Sequence, residues 1–131
     1  MKSLSLNINL DWSEMDLFGH INNVAYFKYA QSARVNYLES VGINTSDPEN
    51  KNSFAVAHSS CQFKAPLFYP GSIKIITSVD WIKNTSLQLN HKIYNSKNEL
   101  AAEITDVIVL FDYSKQQKME IPASVRKSLE A

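Results

Sequence analysis

Glycine is scarce. The 131-residue chain holds only three glycines, and none falls in a GxGxxG or GxxxxGK pattern. Loops that cradle nucleotide phosphates are built on such glycines, so nucleotide sites of those kinds are excluded. Cysteine is scarcer still: Cys61 stands alone and has no partner for an intramolecular disulfide. That fits a reducing compartment, and a cytoplasmic location is expected. No basic run occurs, and 13 basic residues balance 13 acidic ones. Nucleic acid demands a basic face, so it is not an expected partner. No stretch is long and apolar enough to span a bilayer, so no membrane association is expected. The opening MKSLSLNINLDW lacks the apolar run and cleavage site of a signal peptide. The three histidines, His20, His58 and His91, show no ligand spacing such as HExxH. No metal and no separate cofactor are expected.

What is present describes a globular chain, with 44% hydrophobic and 20% charged residues. The length predicts a single domain over residues 1–131. Leu4, Leu6, Ile8 and Leu10 alternate with polar residues, the period of a half-buried strand. A helix is predicted over Asn22–Val41, with Tyr26, Ala30, Ala33, Tyr37 and Val41 on one stripe. Gly42 is placed to stop it. Residues 44–53 read as a polar loop. Strands come next over Phe54–Phe63, around Ile73, Ile75, Thr77, Val79 and Trp81 on one face, around Leu87, Leu89, His91 and Ile93, and over Leu100–Asp112. The VIVLF segment of the last strand reads as buried on both faces. Pro122 opens a short helix-like tail. The order β-α-β-β-β-β gives an α+β fold, an antiparallel β-sheet with one long helix on one face. One helix cannot cover such a sheet, so a second copy of the chain is the expected cover.

The most polar stretch lies just before that helix: SEMDLFGHINN, residues 13–23. Together with the helix it opens, as DLFGHINNVAYFKYAQSARVNYLESVG, it resembles the hotdog-fold acyl-CoA thioesterases of the 4-hydroxybenzoyl-CoA thioesterase type. The segments FKAPLFYPGSIKI and LFDYSKQQKMEIPASVRKSL resemble two further parts of that family. The resemblance implies a sheet wrapped around the long central helix, and chains paired as a homodimer or homotetramer. It implies an active site between subunits and a coenzyme A thioester substrate. By position, Asp16 matches the family's catalytic carboxylate. Asn23 matches the residue whose backbone N–H polarises the thioester carbonyl. Glu14 stands where many members carry a second aspartate.

Thioester hydrolysis needs a carboxylate that attacks or activates water, and donors for the developing oxyanion. Asp16 supplies the first. The free N–H groups of a helix start supply the second. Gly19 lets the backbone approach the substrate. His20 is either a substrate contact or a plain loop residue. Asn22 and Asn23 suit a helix N-cap. Phe18 and Tyr26, with Phe27 and Tyr29, either shape an acyl pocket or pack the core. His58, Ser59 and Ser60 fall on the strand expected to line the acyl or pantetheine channel, or else are satisfied core positions. Lys64, Lys83, Arg126 and Lys127 are candidates to meet coenzyme A phosphates. Arg34 reads as a structural ion-pair partner.

Other hotdog branches carry their acid inside the long helix. Residues Ile21–Leu38 contain no Asp or Glu, which leaves Asp16 as the obvious carboxylate. Two rival readings share the fold. One is a non-catalytic acyl-thioester binder; the other is a thioesterase acting on acyl carrier protein.

Overall fold

The structure is a computed structural model that describes residues Met1–Ala131. Its elements are β1 (Leu4–Asn9), a 3-10 turn (Trp12–Glu14), α1 (Asn23–Ser40), β2 (Asn52–Phe63), β3 (Ser72–Ile82), β4 (Ser86–Tyr94), β5 (Leu100–Asp112), β6 (Gln117–Lys118) and α2 (Ala123–Glu130). The strands form one sheet in the order β1-β3-β4-β5-β2, with β6 also on β5. Every pairing is antiparallel. This is the hotdog arrangement: a sheet wrapped around one long helix.

Helix α1 begins where the sequence supplies its cap. The Asn22 side chain accepts the Val24 N–H at 2.8 Å, satisfying one of the free donors of the first turn. At the other end Gly42 adopts φ +90°, and Ile43 N–H returns to the Leu38 carbonyl at 3.0 Å. A left-handed residue just past the helix closes it this way. Ala25, Ala30 and Ala33 are buried along the face that meets the sheet, and their small side chains let the helix axis come close.

The core has two halves. One gathers Tyr26, Tyr29, Ala30, Leu67, Ile75 and Ile104 under the first half of α1. The other gathers Tyr37, Leu38, Leu89, Ile108, Val125 and Leu129 under its second half. Between them lies a polar layer of Thr77, His91 and Asp106, reached from the helix by Arg34.

Four expectations need correction. The sheet has six strands, because the two-residue β6 pairs with Phe111 and Asp112; so short a strand has no period to read. Strand β2 starts at Asn52, inside the predicted polar loop, because the partner strand supplies pairing that composition does not announce. Trp81 does not continue the Ile73–Val79 face. The β3–β4 register shifts between Val79 and Trp81, and Ile82 packs on the core instead. A bulge reverses the alternation beyond it. Lastly, VIVLF is not buried on both faces: Ile108 and Leu110 are buried, whereas Val107, Val109 and Phe111 are half-buried. The helix covers only one side of β5.

Candidate active site

The loop before α1 is folded by its own side chains. Asp11 accepts the Ser13 N–H and hydroxyl, and Glu14 returns to the Asp11 N–H, which completes a capping box around the 3-10 turn. The chain then doubles back. Met15 bridges Ile21, Asp16 N–H donates to the His20 carbonyl at 2.6 Å, and Asn22 N–H donates to the Glu14 carbonyl at 2.8 Å. The reversal passes through Gly19 at φ +82°. A β-carbon at Gly19 would meet nothing within 4 Å. The positive φ requires glycine here whatever the space around it.

The two oxygens of Asp16 have different surroundings. Oδ1 accepts the N–H groups of Phe18 at 2.8 Å and His20 at 3.0 Å. Oδ2 lies 3.3 Å from His20 Nδ1. Desolvation pushes the carboxyl upward, but the two backbone N–H bonds and the neighbouring imidazole outweigh it. The net shift is below the ordinary aspartate value. Asp16 is thus an ionised carboxylate at neutral pH, half exposed, with one oxygen unclaimed by the backbone.

The segment after β2 forms the opposing wall. Ile21 N–H donates to the Leu67 carbonyl at 2.7 Å, and Tyr69 N–H donates to the Gly19 carbonyl at 3.0 Å. The His20 and Phe68 rings stand 4.9 Å apart. Tyr26 Oη accepts the Leu67 N–H at 3.2 Å, and its ring meets Phe63 edge-on at 5.0 Å.

Together these segments enclose an open cleft of about 650 Å³. Asp16, His20, Asn22, Asn23, Tyr26 and Lys64 line it, with Phe63, Ala65 and Pro66. Asn23 is the first residue of α1, and its N–H has no intrahelical acceptor. It donates no hydrogen bond to any other backbone group. Asp16, with its ionised carboxylate, and Asn23, the first residue of α1, therefore line the same cavity.

Not every candidate residue reaches it. Phe18 projects into solvent, 78% exposed, and contributes its N–H to Asp16. His58, Ser59 and Ser60 lie on β2 away from the cleft: Ser59 donates to Asp106 at 2.6 Å, and Ser60 pairs with Thr105 at 2.9 Å. β2 passes the cleft only at its end, through Phe63. Arg34 is an ion-pair partner, 2.9 Å from Asp106. Phe63, Ala65 and Pro66 carry no individual signal in the sequence beyond the turn-rich FKAPLF segment that contains them.

Likenesses to known proteins bear on this geometry. The profile of the Thioesterase-like superfamily matches residues 10–129. The chloroplastic acyl-acyl carrier protein thioesterase of Arabidopsis thaliana is 28% identical over 115 residues. That match covers 86% of this chain, which spans 60% of the relative's length. A gentisyl-coenzyme A thioesterase of known structure is 25% identical with a TM-score of 0.85, covering 96% of this chain and 99% of that one. The DHNA-CoA thioesterase of Staphylococcus aureus shares the fold, with a TM-score of 0.82 at 22% identity over 92% of this chain and 81% of that one. No helix is long and apolar enough to cross a membrane.

Proposed function

Since the chain belongs to the thioesterase-like superfamily, we propose that it hydrolyses an acyl thioester to the free acid and the thiol. The observation that carries this reading is the cleft shared by Asp16 and Asn23, the first residue of α1. The reacting carbonyl sits with its oxygen toward the Asn23 N–H and the positive end of α1. Asp16 Oδ2 works on the carbonyl carbon, because Oδ1 is held by two backbone N–H groups. As a nucleophile, Oδ2 bonds to the carbon, the C–S bond breaks and the thiolate leaves; water then cleaves the mixed anhydride. As a general base, the same oxygen takes a proton from water, and the hydroxide displaces the thiolate. In the second route Asp16 then passes its proton to the departing thiolate, and in the first the attacking water supplies it, so both routes end with the carboxylate restored and the thiol released. His20, beside Oδ2, orients that oxygen and lies within reach of the entering water.

Coenzyme A is the proposed thiol, as in the 4-hydroxybenzoyl-CoA type, and the likeness to a gentisyl-coenzyme A thioesterase supports it. Tyr26 and Phe63 offer aromatic walls for the acyl group, and Lys64 offers a cation at the rim. Acyl carrier protein is the second reading, favoured by the Arabidopsis relative. We also propose a homodimer, because β2 is an end strand of the sheet with one edge unpaired.

The test is thiol release from panels of acyl-CoA and acyl-acyl carrier protein substrates. Asp16→Asn is expected to lose at least about 1000-fold in kcat, the scale on which removing a triad-type group acts. Equal rates for wild type and variant would sink the role of Asp16. Binding of acyl-CoA without turnover by the wild type would favour a non-catalytic binder.

A further inference from the structure

Glu14 is the most heavily engaged side chain of the loop, yet it does not line the cleft. Its side chain is only 9% exposed. Oε1 accepts the Tyr29 hydroxyl at 2.8 Å and the Asp11 N–H at 3.3 Å. Oε2 accepts Lys28 Nζ at 3.1 Å. The Glu14 carbonyl takes the Asn22 N–H at 2.8 Å. One residue thus grips α1 at two levels, at its N-cap and one to two turns in, while closing the 3-10 turn with Asp11.

Asp16 lies two residues further on. Its own turn is self-contained: Oδ1 on Phe18 and His20, and its N–H on the His20 carbonyl. That turn fixes the shape of the Asp16 loop but not its distance from α1. The Met15–Ile21 bridge joins the two arms of the loop to each other. Glu14 is the side chain that joins the loop to the body of the helix. Tyr29 makes a firm anchor. It is 2% exposed, and burial together with the Glu14 carboxylate keeps its phenol protonated. Lys28 is a weaker one, because its side chain is 70% exposed and solvent screens such pairs.

We infer that Glu14 is a positioning residue, which sets the gap between Asp16 Oδ2 and the Asn23 N–H through its clamp on Tyr29 and Asn22. The inference rests on the reading of Asp16 and Asn23 as the reacting pair. Glu14 touches no substrate and transfers no proton. Its removal leaves both reacting groups present but misplaced, and a displacement of about 1 Å costs roughly 100-fold in rate.

Three variants test this in the full-length protein. Glu14→Ala is expected to lower kcat about 100-fold with KM nearly unchanged. Glu14→Gln keeps the acceptor for Tyr29 and is expected to recover most of that loss, with the acid limb of the pH–rate profile where the wild type has it. Tyr29→Phe severs the clamp from the helix side, so the test stands even if Glu14→Ala does not fold. Wild-type kcat in Glu14→Ala or in Tyr29→Phe overturns the inference. So does a Glu14→Gln variant as inactive as Glu14→Ala, which would make the carboxylate's charge the agent. Amide hydrogen exchange at Asn22, whose N–H is bonded to the Glu14 carbonyl, gives a readout free of turnover: faster exchange in Tyr29→Phe and Glu14→Ala supports the clamp, and unchanged exchange refutes it. If the wild type cleaves no thioester, the proposed function fails while the exchange result still decides the role of Glu14.

Discussion

Asp16 has one oxygen tied to two backbone N–H groups and the other beside an imidazole. The arrangement favours the ionised form, so the carboxyl titrates below its ordinary value. A group whose pKa is depressed holds its charge as pH falls and loses it only when pH passes through the lowered value. We therefore expect kcat/KM to stay level from neutral pH down to about pH 4, the ordinary carboxylate range, and to decline below it. An acid limb centred above pH 5 would mean a carboxyl raised by its surroundings, and the free-carboxylate mechanism would fail. Asp16 stood out in the sequence only through the resemblance of its motif to the hotdog thioesterases; by itself an aspartate before a capped helix reads as an ordinary turn residue. The division between its two oxygens was not legible, since it depends on a chain reversal closed by Gly19 and by pairing to residues 67–69.

At the scale of elements, the helix and four long strands came from periodicity, while the bulges and β6 did not. The polar layer under α1 shows why. His91 and Asp106 fall on the inward rows of β4 and β5, between Leu89 and Ile93 and between Ile104 and Ile108. An acid in such a row signals a buried partner, but sequence alone does not say which. The structure supplies three: His91 Nε2 at 2.8 Å, Arg34 Nη1 at 2.9 Å and Ser59 Oγ at 2.6 Å. His91 Nδ1 in turn meets the Thr77 hydroxyl at 2.8 Å. The layer thereby links α1 to β2, β3, β4 and β5 midway between the two apolar core halves. Asp106→Asn leaves Arg34, whose side chain is 14% exposed, without its counter-charge. Breaking a buried pair from one side costs about 3–5 kcal/mol. Burial pushes the Asp106 carboxyl up, yet the bonds from His91 and Ser59 and the nearby cations bring it below its ordinary value. Its contribution to stability is therefore complete above about pH 4 and is lost as pH falls through the lowered value. Urea denaturation across pH should show Asp106→Asn destabilised at neutral pH, with the gap to wild type narrowing in acid. A gap independent of pH would assign the loss to shape rather than charge.

At the scale of the molecule, the open question in the sequence was what covers the sheet. Helix α1 packs against β1, β3, β4 and β5 and leaves a groove of about 360 Å³ beside β2, lined by Val24, Phe27, Lys28, Gln31, Arg34, Val56 and Ser59. Strand β2 ends the sheet, so one edge of its 12 residues is unpaired. Between Asn52 and Phe63 it carries no Lys, Arg, Asp, Glu or Pro, the residues that protect a free edge. It does carry Val56 and Phe63, 42% and 48% exposed, and Val56 shares the groove with Val24, 73% exposed on the helix. An unguarded edge beside an apolar groove suits a second copy across a two-fold axis, since such an axis brings the same surface to itself. Phe63 also lines the cleft, so pairing along β2 would enclose one end of the site. The wild type is expected to sediment at twice the chain mass, and Val56→Lys at the mass of one chain. Activity per chain should fall when the wild type is diluted through its dissociation range, and Val56→Lys should start low at every concentration. A wild type that sediments as one chain at micromolar concentration and keeps full activity would show instead that the cleft is complete within one chain.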